Sequence, residues 1–413
     1  MLVLGAPRAR RRLRGATISQ HSLLAKATVR VEDMDDQDIS EARADPSKVV
    51  ADAAMPVICM SPVQDESGLA GAPATDGLAW GVRAVEADAC TETGAGVVVA
   101  ILDSGIDIGH PTFSGLAFAP EDLRDFTGAD PSPGNVGGVV QDEMGHGTHC
   151  AATAVGRDVA GRRIGVARGV DRLIVGRIFR PGMSFDARRL HTALDWAINE
   201  RRAQVVSLSL SFDLGAYADT LINAGWPVAS ATARAADEYV EIVRFWDLYF
   251  EKLDAEAATN KLAGALVVAA AGNQSRRGSV STSAAEILIN TAFPARARNV
   301  VSVGALGHGP GGLSVASFSN GRPTVAAPGV EIVSAAPSAG STGSLVQLSG
   351  TSMACPHVAG LATLWWAHER SREGMATTAN GVRERLKASV SSEGIDKRMR
   401  SRDVGLGMPR APR

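Results

Sequence analysis

Val97-Val98-Val99-Ala100-Ile101-Leu102 is an unbroken aliphatic and β-branched run that ends in Asp103-Ser104-Gly105. A run that is apolar on both faces suits a strand buried inside a parallel sheet, not the half-solvated strand of an antiparallel one. The pattern returns at 173–179, 205–210 and 265–271, and an amphipathic stretch at 186–201, carrying Leu190, Leu194, Trp196 and Ile198, lies between two of these runs. Strand, helix and strand in succession form a βαβ unit. The spacing therefore predicts an α/β chain with a mainly parallel sheet flanked by helices. In such sheets ligands and catalytic groups collect at the carboxyl ends of the strands, which is where Asp103 and Gly272-Asn273 fall.

Three further segments carry chemistry. Gly350-Thr351-Ser352-Met353-Ala354-Cys355-Pro356-His357-Val358-Ala359-Gly360 reads as the start of a buried helix. Proline belongs in an early turn, small residues permit close packing, and Ser352 sits at the positive end, where developing negative charge is stabilised. Taken alone, Ser352 is either an N-capping serine or a nucleophile. Around Gly145-His146-Gly147-Thr148-His149-Cys150, glycines bracket a histidine, and imidazole can take up and return one proton near neutrality. A metal site from His146, His149 and Cys150 is the rival reading, with no second cluster to complete it. Asp107, beyond Gly105 in a turn-like sequence, competes with Asp103 but fits a local capping role better.

Together these segments resemble the aspartate, histidine, asparagine and serine segments of the subtilisin-like peptidases (subtilases, peptidase family S8), in family order and over about residues 77–410. The resemblance implies a subtilisin-like three-layer α/β fold and a serine endopeptidase. Ser352 would be the nucleophile, His146 the general base, Asp103 its orienting acid and Asn273 the side-chain donor of the oxyanion hole. It also implies that Ser207, Leu208 and Ser209, within an edge running to Ser211, pair with a peptide substrate while 180–184 lie on its other side. Ala270, Ala271 and Gly272 would floor the S1 pocket. Gln274 brings no charge to that pocket, so an apolar or permissive P1 preference is expected. A transpeptidase or macrocyclase, and a peptide-binding regulator with a dormant triad, are the alternatives. No cofactor is expected for the chemistry. Structural calcium is a family expectation without a mapped site.

Residues 1–76 differ from the rest: Arg8, Arg10, Arg11, Arg12 and Arg14 open the chain, then come an acidic patch at 32–38 and Pro56 and Pro62. This extension is expected to be a pro-region or a poorly ordered tail, with strands near 27–31 and 55–60, a helix at 45–54 and, for a pro-region, a cut between about Ser61 and Gly77. Residues 77–410 would be the peptidase domain, interrupted at about 213–262 by an insertion whose apolar stripe predicts a long helix. That helix is expected to form a wall near the cleft or to dock a partner. A net charge of -2 argues against a nucleic-acid partner. No apolar run reaches the roughly 18 residues of a membrane span, and none of the length a secretory signal needs follows the arginines. A cytoplasmic, membrane-free protein is the expectation. Cys59, Cys90, Cys150 and Cys355 lack paired spacing and read as free thiols.

Overall fold

The computed structural model describes residues 1–5, 24–63, 70–71, 77–128, 140–278, 286–337, 343–372 and 377–413. The arginine cluster at 8–14 lies outside these residues. The chain opens with β1 (Leu2–Gly5), β2 (Thr28–Val31), α1 (Asp36–Ala44) and β3 (Lys48–Ala51), the strands forming a small antiparallel sheet in the order β2-β1-β3. The helix expected at 45–54 is therefore misplaced. Asp35 caps the real one by accepting from the Asp38 N–H, and 48–51 are drawn into strand by pairing with β1. An extended segment, β4 (Pro56–Cys59), then leads towards the main body.

The main body contains α2 (Trp80–Ala84), β5 (Val98–Asp103), β6 (Leu123–Asp125), α3 (His146–Val155), β7 (Arg172–Arg177), β8 (Phe185–Asp186), α4 (Ala187–Asp195), β9 (Val205–Leu208) and β10 (Leu210–Phe212). The insertion follows as α5 (Leu214–Asn223) and α6 (Val228–Thr259). After it come β11 (Leu266–Ala270), β12 (Val300–Gly309), β13 (Gly312–Val315), β14 (Val325–Pro328), β15 (Ile332–Ala335), β16 (Leu345–Leu348), α7 (Thr351–Ser371), α8 (Ala379–Ala388) and α9 (Ser401–Val404). The central sheet runs β13-β12-β11-β9-β5-β7-β6, with β14 also on β12. Every pair in it is parallel except β12 with β13. Alternation along β5 divides the interior into two cores: Val99 and Ile101 join the layer that holds α3 and α7, while Ala100 and Leu102 face the layer that holds α4 and α6. This three-layer arrangement matches the expected fold class.

The insertion is packed against the N-terminal sheet. α6 lies against β1 and β3, and Leu2, Leu4 and Ala51 share one apolar core with Phe245 and Trp246. Glu238, fully buried on α6, accepts from Arg43 at 2.8 and 2.9 Å and pairs with Arg234 at 2.7 Å. The Tyr217 hydroxyl of α5 donates to Asp52 at 2.5 Å. The insertion is thus the platform on which the N-terminal sheet sits. No helix among the described residues is long and apolar enough to cross a membrane.

Removing one cation from a buried carboxylate leaves it under-compensated. Arg43→Ala should lower the urea-unfolding stability of the full-length chain by about 1–3 kcal/mol. A change within error would show that the ion pair does not hold the N-terminal sheet.

Candidate active site

Asp103 closes β5, and the parallel register places it beside Arg177 of β7 at the carboxyl edge of the sheet. His146 is the first residue of α3, behind Gly145 at φ +81°. Asp142 builds the turn before it: its carboxylate accepts from the N–H groups of Met144, Gly145 and Thr148 and from the hydroxyls of Ser104 and Thr148. A side chain at position 147 would strike the Gly105 carbonyl at 2.3 Å, so glycine there lets α3 approach β5 closely. The result is a His146 Nδ1 to Asp103 Oδ1 distance of 2.7 Å, with both residues buried. Burial alone would pull the imidazole pKa down, but the adjoining Asp103 carboxylate outweighs it and holds the ring well above its ordinary value.

Ser352 is the second residue of α7, in the turn whose N–H groups lack intrahelical partners. Pro356 lies one turn on, inside the helix, and has no N–H to give to the Ser352 carbonyl. That carbonyl is taken instead by the Cys150 thiol of α3 at 3.3 Å and by the Ser209 hydroxyl at 3.4 Å. The missing donor thereby joins the serine to the histidine helix and to the residue preceding β10. Asn273 follows β11, and its Oδ1 accepts from the Thr351 N–H at 3.0 Å and hydroxyl at 2.7 Å, which turns Nδ2 towards the cleft. Asn320, fully buried, braces the same turn by accepting from the N–H groups of Gln274 and Ser275 and donating to the Ala271 carbonyl.

The cleft is filled by the chain itself. β4 lies between β10 and β8, antiparallel to both, with Ile58 opposite Ser211 and Val57 opposite Phe185. Beyond it the Met60 N–H donates to the Ser209 carbonyl at 3.1 Å, and Asn273 Nδ2 donates to the Ser61 carbonyl at 3.2 Å. The Ser352 hydroxyl donates to the Met60 carbonyl at 2.8 Å, leaving the buried His146 Nε2 without a partner. The Met60 sulfur lies 3.8 Å from the Thr351 hydroxyl, which also accepts from the Gly272 N–H.

The structure thus brings Asp103, His146, Ser352 and Asn273 to one place. It divides the expected substrate edge: Ser207 and Leu208 lie inside the central sheet, where Ser207 stands between Ile101 and Val268, and the edge that pairs with an extended segment starts at Ser209 and continues through β10. The opposing side is Phe185–Asp186 rather than 180–184. Ala270 and Ala271 are fully buried at the end of β11, and Gly272 is tied to Thr351. Asp107 makes a local turn, accepting from the Gly109 N–H, as anticipated. His149 faces the core with Nε2 3.0 Å from the Ile332 carbonyl, and burial lowers its pKa to about 3, so the rival metal site from His146, His149 and Cys150 does not assemble. Burial pushes the thiols of Cys150 and Cys355 up to about 11 and about 12. Sequence reasoning missed Cys59, Met60 and Ser61 in the cleft and the bracing by Asp142 and Asn320. Among the described residues the only group of three His, Cys, Asp or Glu side chains close enough to share a metal ion is Cys59, Asp103 and His146.

The bonds to the Ser352 carbonyl can be tested in a Ser352→Ala background. Removing both donors, with Cys150→Ala and Ser209→Ala, should cost about 1–3 kcal/mol in urea unfolding. Adding Pro356→Ala, which restores a helical N–H, should recover part of it; no recovery would detach the proline from this role.

A model of the Subtilase family matches residues 94–407. M-protease of Shouchella clausii (strain KSM-K16) is 33% identical over 315 residues, covering 73% of this chain and 65% of the relative. Subtilisin Savinase of Lederbergia lenta is 32% identical, covering 73% of this chain and 91% of the relative. Subtilisin-like serine protease Pen ch 13 of Penicillium rubens is 30% identical over 277 residues, with 67% and 54% covered. The chain thus spans less than two thirds of the length of M-protease and of the Penicillium protease. With the match extending over most of the sequence, and with aspartate, histidine, asparagine and serine gathered at one sheet edge, the chain belongs to the subtilase family.

Proposed function

We propose that the chain is a serine endopeptidase made as a self-blocked precursor, with residues up to Met60 as its pro-region. The observation that carries this is the segment 56–60: Pro56–Cys59 is a strand paired with β10 on one side and β8 on the other, and Met60 after it offers its carbonyl to the Ser352 hydroxyl at 2.8 Å. A peptide bound by main-chain pairing with its carbonyl at the nucleophile is a substrate pose. In this proposal His146 takes the Ser352 proton as the oxygen attacks the Met60 carbonyl carbon, and Asp103 holds the ring and stabilises its charged form. The tetrahedral oxyanion is held by Asn273 Nδ2, which moves from the Ser61 carbonyl, and by the Ser352 N–H. Ser61 leaves with its amine protonated by His146. Water then releases Met60 from the acyl-enzyme, and other polypeptides follow the same course. The buried Met60 fits an apolar P1 preference.

The wild-type chain should yield, by intact mass, a cut after Met60 and should label with a fluorophosphonate; Ser352→Ala should stay whole and unlabelled. A wild type that neither cuts nor labels would sink the proposal. A cut elsewhere would remove Met60 from the P1 role. Asn273→Ala should slow cleavage by about 10²–10³-fold, the loss associated with such an amide donor in subtilisin itself. Equal rates would show that the Asn273 amide does not serve the oxyanion.

A further inference from the structure

We propose that Cys59, His146 and Asp103 form an inhibitory site for a thiophilic divalent cation such as Zn²⁺, one that exists only while the N-terminal segment occupies the cleft. This rests on the reading of 56–61 as a substrate-like segment. The Cys59 sulfur lies 3.5 Å from His146 Nδ1, and its ligand atom, that of His146 and an Asp103 carboxylate oxygen all fall within 4.8 Å of one another. A tetrahedral Zn²⁺, about 2.3 Å from sulfur and about 2.0 Å from nitrogen, sets those two ligand atoms about 3.5 Å apart, so Cys59 and His146 already stand at coordination spacing. The Asp103 oxygen is at hydrogen-bond distance, 2.7 Å from Nδ1. To become the third ligand it withdraws to about 3.3 Å and swings off the line of the Nδ1 lone pair, which the cation takes over. A water molecule takes the fourth position. Cys150, whose sulfur is 3.9 Å from Nδ1, is already engaged with the Ser352 carbonyl and is not a ligand.

Binding is incompatible with catalysis for a reason of proton placement. The cation needs the Nδ1 lone pair and a thiolate, so the Cys59 proton, and any second proton on the ring, leave for solvent. The one hydrogen the imidazole keeps moves to Nε2, the buried atom that would otherwise receive the Ser352 proton. With Nε2–H the ring can donate but not accept. The cation therefore holds the uncut chain latent. Once the segment leaves, the sulfur leaves with it and the site ceases to exist.

The test uses the full-length Ser352→Ala chain with Co²⁺ as a spectroscopic probe and Zn²⁺ as its competitor. The expected result is one Co²⁺ per chain with thiolate-to-cobalt charge-transfer absorption, displaced by Zn²⁺, lost in Cys59→Ser and Cys59→Ala and kept in Cys150→Ser. In the chain with Ser352 intact, one equivalent of Zn²⁺ should slow self-cleavage roughly tenfold or more relative to its own zinc-free rate, with the ratio falling to near one in Cys59→Ser. Absorption that survives loss of Cys59, or that disappears only with Cys150, overturns the proposal. Absence of self-cleavage without metal counts against the peptidase reading alone, because the cobalt spectrum of the Ser352→Ala chain is read independently of turnover.

Discussion

The active site depends on one hydrogen bond that α7 does not make. Pro356 cannot donate to the Ser352 carbonyl, and a buried carbonyl must find another partner. It finds Cys150 of α3 and Ser209 at the lip of the cleft. Ser352 is thereby referenced to the helix that begins with His146 and to the strand edge on which β4 lies. A continuous helix would have closed that carbonyl on itself and removed both of these ties. Small residues at 354, 359 and 360 let α7 come close enough: a Cβ at Gly360 would meet Val166 at 2.6 Å. Fixing the partners before the reaction reduces reorganisation during it.

The second constraint is the turn chemistry around the base and the amide. Asp142 collects five donors and Asn320 spans the loop after Gly272, so neither His146 nor Asn273 depends on solvent for its orientation. Both braces are buried and lie behind the groups that face the cleft. They act on position alone, and their cost in conformational entropy falls on folding instead of on catalysis.

Much of this was legible in the sequence. Asp103 follows a strand apolar on both faces, and His146, Asn273 and Ser352 sit where glycines and small residues force sharp entries into helices or turns, signals that are local. What was not legible is non-local. A run such as Val205-Val206-Ser207-Leu208-Ser209-Leu210 is equally apolar on either side of Ser209, yet the chain leaves the central sheet there and becomes the peptide-pairing edge in β10. Residues 48–51 are strand because β1 lies beside them, a partner more than forty positions away. Met60 and Cys59 carry no motif. Their place beside Ser352 and His146 follows from the docking of the N-terminal sheet on α6, which no periodicity within residues 1–60 could announce.

In the proposed self-blocked precursor, that docking has a consequence for how inhibition ends. While the chain is intact, the blocking segment is tethered to its own cleft, and its effective concentration there is set by a short connection and cannot be diluted. Breaking the proposed bond between Met60 and Ser61 turns a first-order closure into a second-order one. From then on the blocked fraction depends on the total amount of protein and on the off-rate from α6. In that proposal the insertion helix, remote from the bond that is cut, sets the delay between cleavage and an open cleft.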